Sequence, residues 1–321
     1  EVVGRFLSPP PGSILDSLRE GGRITPEEDE LAREIPLAQD IDVEGDSGGH
    51  TDSRPLCALF PAILRQCRLA ARAFGRDPGF RVGAAGGMGT PESVAAAFAM
   101  GASHVVVGSV HQSCLESGTS ERVRQMLANA GVADFAIAPS ADMFELGAKV
   151  QVLKKGTLMA VRANRLLDLH RRYGSLDRLP PKLREETERD IFRQSLDGVW
   201  EETKDFFRAS DPRQIERAEH DPKHRMSLVF RWYLGHSSFW PIQGHSEREI
   251  DFQIWSGPAM GAFNEWVRGS FLEDPRERAV GQVALNLMEG ATYHLRLQQL
   301  RATGLPLQPE QHDFPPERLH I

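Results

Sequence analysis

Arg81-Val82-Gly83-Ala84-Ala85-Gly86-Gly87, Thr90-Pro91-Glu92 and His104-Val105-Val106-Val107-Gly108-Ser109 decide the fold class of this chain. An apolar run ends in two glycines. A threonine N-cap with proline at the first helical position then opens an alanine-rich segment that stops at Gly101. The second apolar run ends in Gly-Ser. Together these pieces occupy about 30 residues, the length of one βαβ unit. Such alternation implies parallel strands joined by right-handed crossovers. Upstream, residues 41–44 alternate as a strand and feed Asp46-Ser47-Gly48-Gly49-His50-Thr51-Asp52, a glycine turn that ends in a histidine flanked by carboxylates. An amphipathic helix over 55–74 is predicted between the two units.

Residues 1–40 read as a proline-rich entry followed by short helices over 13–20 and from Thr25-Pro26-Glu27-Glu28. Beyond Glu121 the pattern turns mainly helical, with one further strand over 132–137 and an apolar–lysine alternation over 142–155. Helical periodicity covers 162–173, 181–207, 211–220, 223–234, 258–267 and 276–301. Trp232, Trp240, Trp255 and Trp266 fall in this half, and aromatic residues at helical spacing are read as core. Pro180-Pro181 marks the expected boundary between an α/β part (1–180) and a helical part (181–321).

The 321 residues carry a net charge of −7, which argues against a general nucleic-acid binder. The basic stretches 162–172 and 182–193 are interleaved with acids or leucines and read as solvated helix faces, available to an acidic protein partner. Three cysteines, Cys57, Cys67 and Cys114, form no CxxC and suit a reducing cytoplasm. No apolar run reaches the roughly 18 residues that a membrane span needs. The histidines have no HExxH-type spacing, so no metal site is expected. Neither GxGxxG nor a P-loop is present.

A glycine pair past a strand, with a helix N-terminus beyond it, suits an anion, because unpaired N–H groups and the helix dipole both favour a phosphate. Gly86-Gly87 and Gly108-Ser109 are two such units, although tight βα turns would need glycine as well. His50 is the candidate for proton chemistry. The alternative is a histidine that merely closes its own turn. No nucleophile arrangement is spelled out in sequence.

These stretches occur in an order that resembles the flavin-dependent nitronate monooxygenase and enoyl-reductase superfamily. The likeness is closer to the PfaD family, the trans-acting enoyl reductases of polyketide and polyunsaturated fatty-acid synthases. Ser140-Ala141-Asp142-Met143-Phe144-Glu145-Leu146-Gly147, Val152-Leu153-Lys154-Lys155-Gly156-Thr157, His224-Arg225-Met226, Phe230-Arg231-Trp232-Tyr233-Leu234-Gly235 and Gly257-Pro258-Ala259-Met260-Gly261-Ala262-Phe263-Asn264 carry it through nearly the whole chain. The resemblance implies a flavin-binding (β/α)8 barrel with a helical subdomain like the one inserted in malonyltransferases. It implies FMN as cofactor and NADPH as reductant, with a 2-enoyl thioester on an acyl carrier protein as substrate. Gly86, Gly87, Gly108 and Ser109 would hold the FMN phosphate and Gly48 and Gly49 would approach the cofactor. His50 would stand beside the flavin ring, polarising the thioester carbonyl or supplying the α-proton.

A full barrel takes about 250 residues, yet only about 45 precede His50. If the His50, Gly86-Gly87 and Gly108 turns follow barrel strands six, seven and eight, this chain holds only the C-terminal strands of a partial barrel. Its start at Glu1 rather than methionine agrees with truncation. Competing expectations are a non-catalytic carrier-protein docking module, a nitronate monooxygenase-type flavin oxidase, and a phosphate-binding α/β enzyme without redox chemistry.

Overall fold

The computed structural model describes residues 2–74 and 79–320. Its chain divides into two compact units. The first comprises Glu1–Asp46, Ser53–Val107 and Leu285–Phe314; the second comprises Ser47–Asp52, Gly108–Ala284 and Pro315–Ile321.

In chain order the first unit opens with α1 (Val2–Phe6), α2 (Gly12–Glu20), α3 (Pro26–Ala32) and β1 (Asp40–Glu44). After β2 (Gly49–His50), which belongs to the second unit, it continues with α4 (Leu56–Ala73), β3 (Arg81–Ala85), α5 (Pro91–Ala99) and β4 (His104–Val106). Caps set these helices in place. Thr25 Oγ1 accepts the Glu28 N–H at 3.1 Å while the Glu28 carboxylate accepts the Thr25 N–H at 2.7 Å, the reciprocal capping box. Thr90 and Ser93 repeat it at α5. The sheet order is β1-β3-β4 and both pairings are parallel, with Ile41 opposite Val82 and Gly83 opposite His104. Val82, Ala84 and Ala85 make the middle strand nearly solvent-free, α4 packs against β1 and β3, and α5 packs against β4. The parallel sheet expected from the glycine-punctuated pattern is therefore present, in chain order.

The second unit holds α6 (Glu121–Ala128), β5 (Phe135–Pro139), β6 (Lys149–Leu153), α7 (Met159–Arg172), α8 (Pro181–Thr187), α9 (Leu196–Ser210), α10 (Arg213–His220), α11 (Pro222–Gln243) and α12 (Pro258–Trp266). A last helix, α13 (Val280–Ala302), begins here and belongs to the first unit from Leu285 onward. The second sheet has order β2-β6-β5 and is antiparallel throughout. Several expectations need correction at this point. The region past Glu121 contains two paired strands rather than one. Gly49-His50 is more than a turn, since His50 lies opposite Val150 and Gly49 opposite Gln151.

The expected 181–207 helix is broken. A π-turn at Glu188–Phe192 leaves Arg193 in the left-handed region (φ +60°), and Ser195 caps a new helix by accepting the Gly198 N–H at 3.1 Å. The helix predicted over 223–234 runs on through Gly235 and Pro241 to Gln243, where Gly244 (φ +71°) ends it. The one predicted over 276–301 starts only at Val280, because Asp274-Pro275 forms a separate short turn. Arg162 and Arg193 depart from a solvated basic face: both pair with Asp251, which is fully buried. Tyr233 donates its hydroxyl to the same carboxylate at 2.9 Å and Arg248 reaches it at 3.2 Å. Burial and that carboxylate push the Tyr233 phenol well above its usual range. Among the described residues, no helix is long and apolar enough to cross a membrane.

Candidate functional site

His50 stands at the end of the edge strand β2, half-buried, with its imidazole over the loop that follows β5. Its Nε2 lies 2.9 Å from Ser140 Oγ and 3.1 Å from Asp142 Oδ1. The Ser140 hydroxyl donates to Asp142 Oδ1, so the serine's proton is committed and its oxygen can only accept from the ring. Both neighbours of Nε2 are thus acceptors, which assigns the proton to Nε2 and leaves Nδ1 as the nitrogen available to a substrate. The Ser140 hydroxyl, more than the His50 ring, holds the Asp142 carboxyl down to about 2, so it remains an anion across ordinary pH. Trp255 closes the other side, its ring edge-on to the imidazole at 5.1 Å and 77°.

The glycines named from sequence divide into two kinds. Gly49 has φ +83°, and a Cβ there would come within 3.3 Å of the Trp255 ring. A Cβ on Gly48 would lie 2.5 Å from Ser256 Cα and 2.6 Å from Ser109 Oγ. At both positions protein atoms account for the missing side chain. Gly86 (φ +86°) likewise would strike the Asp46 carbonyl oxygen at 2.9 Å, inside the first unit. Gly87 (φ +78°) and Gly108 face open space, with nothing within 4 Å of where a Cβ would stand. Those are the two positions that leave bare backbone for a ligand.

Ser109 Oγ accepts the Gly257 N–H at 3.1 Å, at the N-terminus of α12, and its own proton has no acceptor among the described residues. Ser256 is fully buried and its hydroxyl has no partner among the described residues. Within the second unit, the bare backbone at Gly108 and these two uncommitted hydroxyls have the donor chemistry a phosphate or a flavin edge requires, and in that sense these residues fit such a group.

Of the candidates named from sequence, Gly48, Gly49, His50, Gly108 and Ser109 lie in the second unit, while Gly86 and Gly87 lie in the first. Sequence reasoning gives no role to Ser140, Asp142, Trp255 or Ser256. Ser140 and Asp142 open the Ser140–Gly147 motif, where a hydroxyl two residues from a carboxylate at a strand end was the available signal. Trp255 reads as core, yet it is 38% exposed. Cys114 is no nucleophile: burial pushes its thiol up to about 12. Among the described residues, no cluster of three His, Cys, Asp or Glu could hold a metal.

Residues 43–164 match the family model "Nitronate monooxygenase", and residues 173–252 match "acyl-carrier-protein S-malonyltransferase, inserted helical domain". The chain is 47% identical over 309 residues to one of the polyunsaturated fatty acid synthase proteins of Thraustochytrium sp., covering 94% of this chain and 21% of that protein. It is 43% identical to the polyketide biosynthesis protein PksE of Bacillus subtilis, covering 94% of this chain and 39% of that protein. Among solved structures, the enoyl reductase domain of MlnA from the macrolactin cluster of Bacillus amyloliquefaciens superposes with a TM-score of 0.88 at 39% identity. That match covers 93% of this chain and 66% of the MlnA domain. The chain therefore spans a fifth to two fifths of the length of those two curated relatives. It belongs to the PfaD-like family of polyketide and polyunsaturated fatty-acid synthase proteins, within the nitronate monooxygenase-like superfamily.

Proposed function

We propose that this chain forms part of an FMN-dependent enoyl reductase that acts in trans on 2-enoyl thioesters carried by an acyl carrier protein, with NADPH as reductant. The observation that carries the reading is His50, its Nε2–H tied to Ser140 and Asp142 and its Nδ1 left for a substrate. Bound FMN would supply the hydride for the β-carbon of the enoyl thioester. Protonated His50 would give the Nδ1 proton to the α-carbon while Ser140 and Asp142 hold its Nε2–H and so orient the ring. Trp255 fixes the ring plane and keeps water from one of its edges. Gly108 and Ser109, and independently Gly87 with Gly86, are assigned to the flavin phosphate; open space at Gly87 and Gly108 supports each turn separately. Gly48 and Gly49 serve the cofactor indirectly, by letting the Trp255-Ser256 backbone come close.

The fold reading within this proposal is a partial (β/α)8 barrel with a helical subdomain after about residue 180. The parallel, chain-ordered β1-β3-β4 sheet supports the first part, and the two family matches, over 43–164 and 173–252, support a change of domain type close to that boundary. The carrier-protein contact is assigned to the exposed Arg171 and Arg172 at the end of α7, whose charge suits an acidic carrier. The cytoplasm is the proposed compartment.

The test is flavin absorbance near the usual flavin band in the purified protein, together with NADPH-dependent reduction of a 2-enoyl thioester. Loss of reduction in His50→Ala with flavin retained is the expected result. Unchanged reduction in that variant would remove His50 from the chemistry. Nitronate oxidation without enoyl reduction would favour the oxidase reading instead.

A further inference from the structure

The Phe230–Gly235 motif has no part in the His50 site, yet it lines a groove that begins there. Ala141 and Asp142, the latter bonded to His50, form part of a groove of about 510 Å3 in the second unit that continues between α9 and α11. Phe206 and Phe207 line it from α9; Leu228, Trp232 and Phe239 line it from α11. The volume lies within the usual range for small-molecule sites.

Its polar atoms are largely spoken for. Thr203 donates its hydroxyl to the Val199 carbonyl at 2.7 Å, the Trp232 indole N–H goes to Glu202 at 3.0 Å, and His236 Nδ1 pairs with the Trp232 carbonyl at 2.9 Å. Arg231 is the one charged lining side chain with no partner among the described residues. Apart from Arg231, the groove is a surface of aromatic rings whose polar groups already bond to the protein, with more to offer a hydrocarbon than a polar ligand. Phe206 and Phe239 are 65% and 60% exposed, an arrangement that is unfavourable in water unless something apolar covers it.

Resting on the enoyl-reductase reading, we propose that this groove holds the aliphatic tail of the acyl thioester, and that Gly235 keeps it open. The reactive end of the acyl group would sit at His50 and the tail would run past Asp142 along Trp232. Gly235 lies inside α11, where glycine is costly relative to other residues. A Cβ there would meet nothing within 4 Å, so helix packing does not require the glycine. Its absent side chain leaves space on the groove's own wall.

The experiment titrates saturated acyl N-acetylcysteamine thioesters, butyryl to dodecanoyl, against the tryptophan fluorescence of the protein. The same protein is then assayed for reduction of the matching 2-enoyl thioesters. Binding should tighten about fourfold per added methylene until the groove is full. Gly235→Leu should fold at least as stably, retain reduction of the four-carbon substrate and lose this dependence on chain length. Phe239→Asp, at an exposed position, should weaken the longer thioesters selectively. Chain-length dependence that survives both substitutions, or that is absent in the unsubstituted protein, overturns the proposal. So does quenching by a carrier protein bearing no acyl group while the thioesters fail to bind, since the groove would then be a protein contact. Length-dependent binding in a protein without enoyl reduction would uphold the acyl groove and remove the reductase reading alone.

Discussion

Two carboxylates in the second unit are held in opposite ways. Asp251 has no exposed surface and is enclosed by Arg162, Arg193, Arg248 and the Tyr233 hydroxyl, with helices α7 and α11 locked around it. Asp142 is 63% exposed and spends its bonds on one serine and one imidazole, and the far nitrogen of that imidazole remains available. A fully enclosed charge network fixes a fold, because removing any member strands the others. A carboxylate that orients a single ring and leaves that ring half open can serve a reaction. The difference lies in what is left uncommitted.

The largest test of this contrast is His50→Ala. Enoyl reduction should fall about 10²–10⁴-fold while the thermal midpoint barely moves, because the ring is half open to solvent. Equal losses of stability and activity would make His50 structural. Asp251→Asn should do the reverse: about 3–5 kcal/mol of stability lost in urea unfolding, because Arg162 and Arg248 keep their charges without a counter-ion in a buried site. A loss below about 1 kcal/mol would mean that water reaches this cluster. Asp142→Asn is intermediate. Losing a charge-assisted bond to the ring should slow reduction roughly ten- to a hundredfold, and flavin retention measured by absorbance should be unchanged.

The same contrast explains what could be read from the sequence. The first unit was legible in detail because its signals are local: Thr25-Pro26 and Thr90-Pro91 mark helix starts, and Gly86-Gly87 marks a strand end. Parallel pairing then follows from the crossover lengths. The β2-β6-β5 sheet was not legible, because Gly49-His50 contributes two residues and finds β6 about a hundred positions later. Nothing within two residues can carry a periodicity. His50 stood out by its flanking glycines and carboxylates, but the acid that orients it is Asp142, ninety-two residues away, and not Asp46 or Asp52 beside it. Asp251 was invisible for a related reason: its partners Arg162 and Arg193 sit in distant stretches that read as solvated helix faces, and Arg248 lies outside every predicted helix. The break at Glu188–Phe192 escaped because apolar spacing continues through it while the backbone does not.

The smallest expected effect separates the two carboxylates by pH. The Asp142 carboxyl is lowered in the folded chain, to about 2, chiefly by the Ser140 hydroxyl, so folding favours its ionised form. Its contribution is fully present above the ordinary aspartate range near pH 4 and is lost as pH falls through that range toward 2. Because the group is largely exposed, solvent screens the interaction and the amount at stake is below about 1 kcal/mol. Asp142→Asn has no such proton to take up. Relative to this variant, the unsubstituted protein should therefore lose a small increment of stability between about pH 4 and pH 2 and none above it, read from paired urea midpoints. A difference that stays constant through the acid range would show that the Ser140–Asp142 bond contributes nothing specific to the ionised state. The carboxylate would then orient His50 only in the way that an amide of the same shape could.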